Sequence, residues 1–427
     1  MMQMEAVQPW VMVVSRPLNG WNPAEDRSFC GDPRDILLQG FHWDSHRGVN
    51  NPATGLRKSW YRVLEENAPQ IRSAGFSWVW LPPCSDSLAP QGYIPRRWNV
   101  FDSAYGSEAE LRSAIRSLGP VNAMADLVLN HRVGVATSGA DFQDPEFPDN
   151  RAAIVCNDDS GVGTGHPDSG ETHPCGRDLD HQNAGVRTAI KAYLGRLKSL
   201  GFKGWRYDLV KGFGGKFIRE YNEASGPSLS IGECFERNRQ VVTDWIDSTG
   251  GKSTAFDFPT RYLLYEALRD DDYRSLKSTN AGRTVPGGLI GFWPGRAVTF
   301  VDNHDTEYRR DQDHHSNYDS TRHIPGHQVD MAYAYILTHP GIPCVFWSHL
   351  FDWGEATRRK ITKLMFLRRA ANLHAGSEVD IREAKKGLYA AVVDGRVAMK
   401  MGPVEWHPGG SWHLAVDGKH FTVWHRA

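Results

Sequence analysis

The stretch Gly201-Phe-Lys-Gly-Trp-Arg-Tyr-Asp-Leu-Val-Lys-Gly-Phe213 decides how the chain is read. From Gly204 onward its side chains alternate. Trp205 and Tyr207 fall on one face of an extended segment and Arg206 and Asp208 on the other. A short apolar segment of this kind, bounded by glycine and ending on a carboxylate, reads as a buried strand over Gly204–Leu209. Working outward, seven further runs have the same character: Ile36–Phe41, Ser77–Leu81, Asn122–Leu129, Leu229–Glu233, Thr254–Phe258, Val298–Asp302 and Pro343–Trp347. Helical stretches separate them. Strands that alternate with helices point to βαβ units, and eight such units make a (β/α)8 TIM barrel, an α/β fold whose functional residues sit where the strands end.

Two segments break the rhythm. Residues 132–177 are rich in Gly, Asp, Pro and Asn and too long for an ordinary connection, so they read as an excursion domain leaving after the third strand. Residues 366–427 turn to short alternating runs with Asp-Gly turns, which predicts a C-terminal antiparallel β-sheet domain. The barrel then occupies 32–131 and 178–365, and residues 1–31 form an N-terminal extension.

Composition excludes several classes of partner. Across 427 residues, 49 basic side chains face 50 acidic ones, a net charge of −1 that gives no reason to expect nucleic acid or an anionic membrane. A neutral ligand suits it better. Fifteen tryptophans and an aromatic content of 11% offer flat apolar faces of the kind that meet sugar rings, or simply fill core. No run approaches the roughly 20 apolar residues needed to span a bilayer. The opening MMQMEAVQPWVMVV lacks a basic leader and carries Glu5 and Pro9, so no signal peptide is expected there and the compartment stays open. Of six cysteines, Cys156 and Cys175 flank a Gly/Asp/Ser-rich loop as either a disulfide or two free thiols.

The strand ends carry the chemistry. Asp208 closes the fourth strand beside Arg206, whose guanidinium favours an ionised carboxylate. Glu233 closes the fifth strand one βα unit later. The seventh ends in Phe300-Val-Asp-Asn-His-Asp305. Paired carboxylates at one rim are what a glycosidase needs, one ionised to attack and one protonated to release the leaving oxygen.

With Asp126-Leu-Val-Leu-Asn-His131, Gly204-Trp-Arg-Tyr-Asp208, Gly232-Glu233 and Phe300–Asp305, the chain resembles the α-amylase family of retaining glycoside hydrolases. The plant-type members are the nearest in appearance, through Gln39-Gly-Phe-His-Trp43, Gly92-Tyr-Ile-Pro95 and Ala334-Tyr-Ile-Leu-Thr-His-Pro-Gly-Ile-Pro-Cys344. The resemblance implies hydrolysis of internal α-1,4-glucosidic bonds in starch-like glucans by a monomer. It implies Asp208 as nucleophile, Glu233 as acid/base and Asp305 as the carboxylate gripping sugar hydroxyls. Tyr93 would stack under the sugar, His131 and His304 would donate to it, Arg206 would orient Asp208, and Lys211 would face the leaving-group sugars. It also implies calcium, held by Asn130, Asp168 and Asp178 with the backbones of Glu171 and Gly212.

Two departures stand out: Cys234-Phe235 follows the acid/base where plant-type enzymes have an apolar residue and tryptophan, and the loop Arg309–His327 is longer and holds four histidines. That loop reads as a solvated surface, a rim subsite or a metal site. Two rival functions remain. An exo-acting maltooligosaccharide-forming amylase shares the motifs and a run like Ser348–Gly354, whereas a non-catalytic glucan-binding protein would keep the aromatics and lose an acid.

Overall fold

The computed structural model describes residues 31–50, 55–135, 139–174, 176–307 and 323–426. The N-terminal extension, apart from Gly31, and most of the 309–327 loop fall outside them.

Eight strands form the barrel: β1 Leu37–Gln39, β2 Trp78–Trp80, β3 Asn122–Leu127, β4 Gly204–Tyr207, β5 Leu229–Gly232, β6 Thr254–Phe256, β7 Ala297–Phe300 and β8 Ile342–Phe346. All neighbours run parallel, and β8 pairs with β1 to close the ring. The eight runs picked from the sequence all hold a strand. The strands stop one or two residues earlier than the apolar pattern suggests, and at β6 the cause is a helix cap. Asp257 shows why: its carboxylate accepts from the Thr260 amide and caps the next helix, so the strand ends at Phe256.

The helices are α1 Trp60–Ala74, α2 Glu108–Ser117, α3 Ala184–Leu200, α4 Gly215–Ser225, α5 Arg239–Ser248, α6 Phe258–Asp270, α7 Val329–Thr338 and α8 Glu355–Ala370. Five of their starts are set by side-chain caps from Ser59, Ser107, Asn183, Asn238 and Asp257. Ser107 and Glu110 make a reciprocal capping box. The last helix continues to Ala370, past residue 365 where the sequence pattern suggests a change of domain.

Between β3 and α3 the excursion is gathered by an antiparallel pair, His131–Arg132 with Arg177–Asp178. Its centre is Arg132, fully buried among the ring faces of Trp98, Phe142 and Phe147 at 4.9, 4.6 and 5.6 Å, an arrangement in which each ring quadrupole attracts the cation. The same guanidinium donates to the carbonyls of Asp144 and Pro145. Cys156 in this domain is an exposed free thiol, so no disulfide is formed at it; Cys175 falls outside the described residues.

Five antiparallel strands make the C-terminal sheet: β9 Val379–Lys385, β10 Leu388–Val393, β11 Val397–Met401, β12 His413–Gly418 and β13 Phe421–His425, in spatial order β9-β10-β11-β13-β12. A two-stranded ribbon, Lys277–Asn280 with Arg283–Pro286, was not anticipated. Its turn puts Ala281 at φ 49° and Gly282 at φ 77°. That is the left-handed pair that a tight hairpin demands.

A buried polar latch joins barrel and sheet. His339, just past α7, donates from Nδ1 to the Tyr335 carbonyl at 3.0 Å, so its Nε2 accepts from the Tyr389 hydroxyl of β10 at 2.8 Å. Beside it the buried Arg368 of α8 donates to the carbonyls of Leu337, His339 and Gly341. Tyr389→Phe leaves the ring and strands the imidazole nitrogen without a donor. We expect it to weaken docking of the sheet by about 1–3 kcal/mol, read as an earlier thermal transition, with the barrel's far-side packing unchanged.

Candidate active site

Parallel pairing puts Arg206 of β4 directly opposite Asp126 of β3. Arg206 is completely buried and serves three carboxylates at once. Nη1 lies 2.8 Å from Asp126 Oδ1 and 2.6 Å from Asp208 Oδ1. Nη2 lies 2.8 Å from Glu233 Oε1, near enough for an ion pair although off the axis of a hydrogen bond. The guanidinium also stands over the Trp80 ring at 4.9 Å. Asp208 and Glu233, chosen from two different strands, therefore meet at one cation.

Glu233 is held from a second side. Leu209 adopts a left-handed backbone, φ 45°, which costs a side chain of its shape roughly 1–3 kcal/mol and turns its amide toward Glu233 Oε2 at 3.1 Å. Behind the strand, the Trp245 ring presses on Gly232 so closely that a β-carbon there would stand 2.0 Å from the indole. Burial pushes the Glu233 carboxyl well above the usual range; Arg206 opposes the shift, and Asp208 and Asp305 add to it.

Asp305 reaches the same mouth from beyond β7. Asn303 fixes its turn by accepting from the amides of Asp305 and Thr306. His304 lies 3.2 Å from Asp305 Oδ2 through Nε2, and its Nδ1 meets Gln39 Nε2 at 2.9 Å. The Tyr93 ring stacks parallel to His304 at 5.1 Å, and its hydroxyl donates to Asp126 Oδ2 at 2.9 Å. His131 differs from expectation. Its Nε2 meets the Tyr93 carbonyl at 2.9 Å, and a carbonyl only accepts, so the ring proton is already committed. Burial holds this imidazole below its usual value, so the neutral ring offers Nδ1, a buried atom with no protein partner, as an acceptor rather than a donor.

Lys211 bridges Glu171 of the excursion and Glu236 after β5, at 3.0 and 3.5 Å.

The residues expected to hold calcium converge. Asn130 Nδ2 donates to Asp178 Oδ1 at 2.9 Å, and Gly212 lies so close that a β-carbon would stand 2.0 Å from the Asn130 side-chain oxygen. Glu171 donates its amide to the Lys211 carbonyl, which brings that loop of the excursion beside Gly212. Asp168 Oδ2 is buried with no hydrogen-bond partner. Burial raises both aspartates, Asp178 to about 7, with Asp168 and Asp158 adding like charge. Among the described residues no three His, Cys, Asp or Glu side chains form a cage. The set is two carboxylates, an amide and backbone carbonyls, a hard oxygen donor set that a divalent cation fits.

Two features were missed from the sequence. Asp126 was seen only as part of a motif; period two and its pairing opposite Arg206 carry the signal. Gln39 as the partner of His304 had no local signal. The Ser348–Gly354 run is explained by packing: His349 is buried, meets the Tyr333 hydroxyl at 3.0 Å and lies 4.0 Å from Asp302. Asp302 in turn takes hydrogen bonds from Arg261, Thr306 and the Ile324 amide, bracing both ends of the segment that carries Asp305.

Known proteins resemble the chain over most of its length. Residues 370–425 match the family model described as the alpha-amylase C-terminal beta-sheet domain. Probable alpha-amylase 2 of Arabidopsis thaliana is 37% identical over 92% of this chain and 95% of its own. A glucan 1,4-alpha-maltotetraohydrolase of Roseateles saccharophilus is 30% identical over 87% of this chain and 68% of its own. In structure, an alpha-amylase from Malbranchea cinnamomea superposes with a TM-score of 0.62 at 18% identity, over 90% of this chain and 86% of that one.

The crowding of acids has a measurable sign. The folded Glu233 holds its proton above the unfolded value of about 4.3. The folded state therefore binds more protons, and stability falls as pH rises through that window. Glu233→Gln should melt later than the parent at pH 7, with the gap closing toward pH 4. Removing the counter-charge acts oppositely: Arg206→Met, which strands three carboxylates, should cost about 3–5 kcal/mol in thermal or denaturant unfolding.

Proposed function

The chain belongs to the α-amylase family, and from that premise we propose that it hydrolyses internal α-1,4-glucosidic bonds of starch, glycogen and maltooligosaccharides with retention of configuration. The observation that carries this reading is the meeting of Asp208 and Glu233 on the Arg206 guanidinium, with Asp305 at the same mouth. Two acids that share one guanidinium suit the short separation, roughly 5–5.5 Å, of the covalent route.

In that route Asp208 attacks the anomeric carbon while Glu233 gives its proton to the departing glucosidic oxygen. The raised affinity of Glu233 for its proton suits it to the acid step. Asp208 is then bonded to the sugar, and Glu233, now ionised, takes a proton from the water that attacks the same carbon. The sugar leaves with its original configuration, Asp208 is freed and Glu233 is reprotonated. Arg206 acts as a positioning residue for both acids. Asp305 grips hydroxyls of the same glucose, Tyr93 stacks beneath it, His304 donates from Nε2, and His131 accepts through Nδ1. Lys211 reaches the leaving-group sugars by exchanging one glutamate for a hydroxyl.

Calcium would be held by Asn130, Asp168, Asp178 and the backbones of Glu171 and Gly212. When bound it neutralises the two aspartates and ties the excursion to the barrel, a structural service. The glucan is the one partner proposed, and the enzyme acts as a monomer.

The maltotetraohydrolase relative supports a second reading, exo-acting release of short maltooligosaccharides. Chromatography of products from a long linear maltooligosaccharide separates the two: a broad early ladder belongs to internal cleavage, a single short product to exo action.

Asp208→Asn should lower the rate of reducing-sugar release from starch by at least about 10⁴-fold, and equal rates would remove the reading. Incubation with a chelator should lower the melting temperature of the parent and leave Asp168→Asn unaffected. An unchanged parent would count against calcium.

A further inference from the structure

Beyond Glu233 the chain runs only four residues to Arg237, a span of at most about 14 Å if fully extended. There it borders a recess of about 450 Å³ between the start of α5, the start of α6 and the Lys277–Pro286 ribbon. Three cationic side chains line it, Arg237, Arg239 and Lys277, together with the neutral polar Asn238, Ser275 and Ser278. No carboxylate does. In a chain whose charges otherwise balance to −1, this is a local excess.

The nearby acids are accounted for. Glu266 stands outside the lining and pairs with Arg237. Asp257 lies behind the wall, fully buried and satisfied by Thr260 and the amides of Leu289 and Ile290. Glu236 faces Lys211. Among the described residues no carboxylate forms an ion pair with Arg239 or Lys277, and the buried Asp257 attracts Arg239 only through the wall. Arg239 rests its guanidinium on the Phe292 ring at 4.8 Å, half-buried, and burial holds it below its usual value. A half-buried guanidinium whose one nearby acid is already engaged by four other donors gains from an arriving anion.

We infer that this recess binds a phosphate monoester carried by a glucosyl unit on the leaving-group side of the substrate. Arg239 and Lys277 would take the phosphate oxygens, with a planar fork from one and a point charge from the other. The hydroxyl and amide lining of Ser275, Ser278 and Asn238 suits the sugar that carries it. The volume admits one phosphorylated glucose, and the short link to Glu233 places that glucose a few units beyond the scissile bond. The site so serves phosphorylated regions of a glucan, and it rests on the hydrolase reading above.

The test compares two substrates on the full-length protein, a maltodextrin phosphorylated at the glucose 6-hydroxyl and the same material after phosphatase treatment, at matched ionic strength. The parent should show a KM about tenfold lower for the phosphorylated form, the scale of one charge-assisted contact. Arg239→Gln and Lys277→Gln should bring that ratio close to one and leave kcat and KM on the dephosphorylated dextrin unchanged. Equal KM values in the parent, or a ratio that survives both substitutions, would overturn the proposal. Inorganic phosphate that raises the parent's melting temperature through Arg239, with no KM difference between dextrins, would overturn it in favour of free phosphate. Glucose 6-phosphate titrated by calorimetry reads the site without turnover. Binding lost in Arg239→Gln supports it even if neither dextrin is cleaved, in which case the hydrolase reading fails by itself.

Discussion

A guanidinium with no exposed surface stands between three carboxylates that belong to three adjacent strands. Burying one charge is costly, and burying four is tolerable only because each acid is placed against the same cation. Arg206 therefore sets the conditions for its neighbours. Asp126 must lie directly opposite it, Asp208 two residues on and just past the same strand, and Glu233 just past the next. One cation is too little for three anions, and the imbalance shows in protons: Glu233 is pushed well above its normal range and Asp126 to about 7, in both cases by burial first. A proton held against its ordinary tendency is what a general acid requires. The surrounding features, the left-handed Leu209 and the indole wedged on Gly232, keep that proton's owner from relaxing away.

The excursion domain repeats the theme on a smaller scale. Asp168, one of its oxygens unsatisfied, adds its charge to Asp178, and Lys211 spans from the excursion to the loop beyond β5. The segment that would carry the cation is thus wired to the segment that follows the acid/base. Arg132, caged by aromatic rings, gives this irregular domain a core that its composition does not advertise.

How much of this was legible depended on range. The eight strands could be read because short apolar runs between helical stretches are a local signal. The catalytic acids could be read because they stop those runs. Strand ends were overdrawn where a polar residue such as Asp257 turns to cap a helix, a choice made by neighbouring amides and not by hydropathy. α8 hid its last turn because helix and sheet domain meet without a break in composition. The role of Asp126 needed the register between two strands, the partner of His304 needed Gln39 from 265 residues away, and the direction of the His131 proton needed the Tyr93 carbonyl. Each depends on contacts that close only in three dimensions. The hairpin at Ala281-Gly282 has a local cue, a glycine after a small residue, but it lies in a polar stretch that the apolar pattern does not mark.

The ring closes through its two ends. β1 pairs on one side with β2 and on the other with β8, whose residues lie some three hundred positions downstream. During synthesis, then, one edge of the first strand waits without a partner while nearly the whole chain leaves the ribosome. The ion cluster, built from the third, fourth and fifth strands, has all its members long before that. The last barrel strand to be made, β8, both seals the seam and shuts water out of the interior. A chain cut short before residue 342 would include every acid of the cluster and lack the strand that completes the wall.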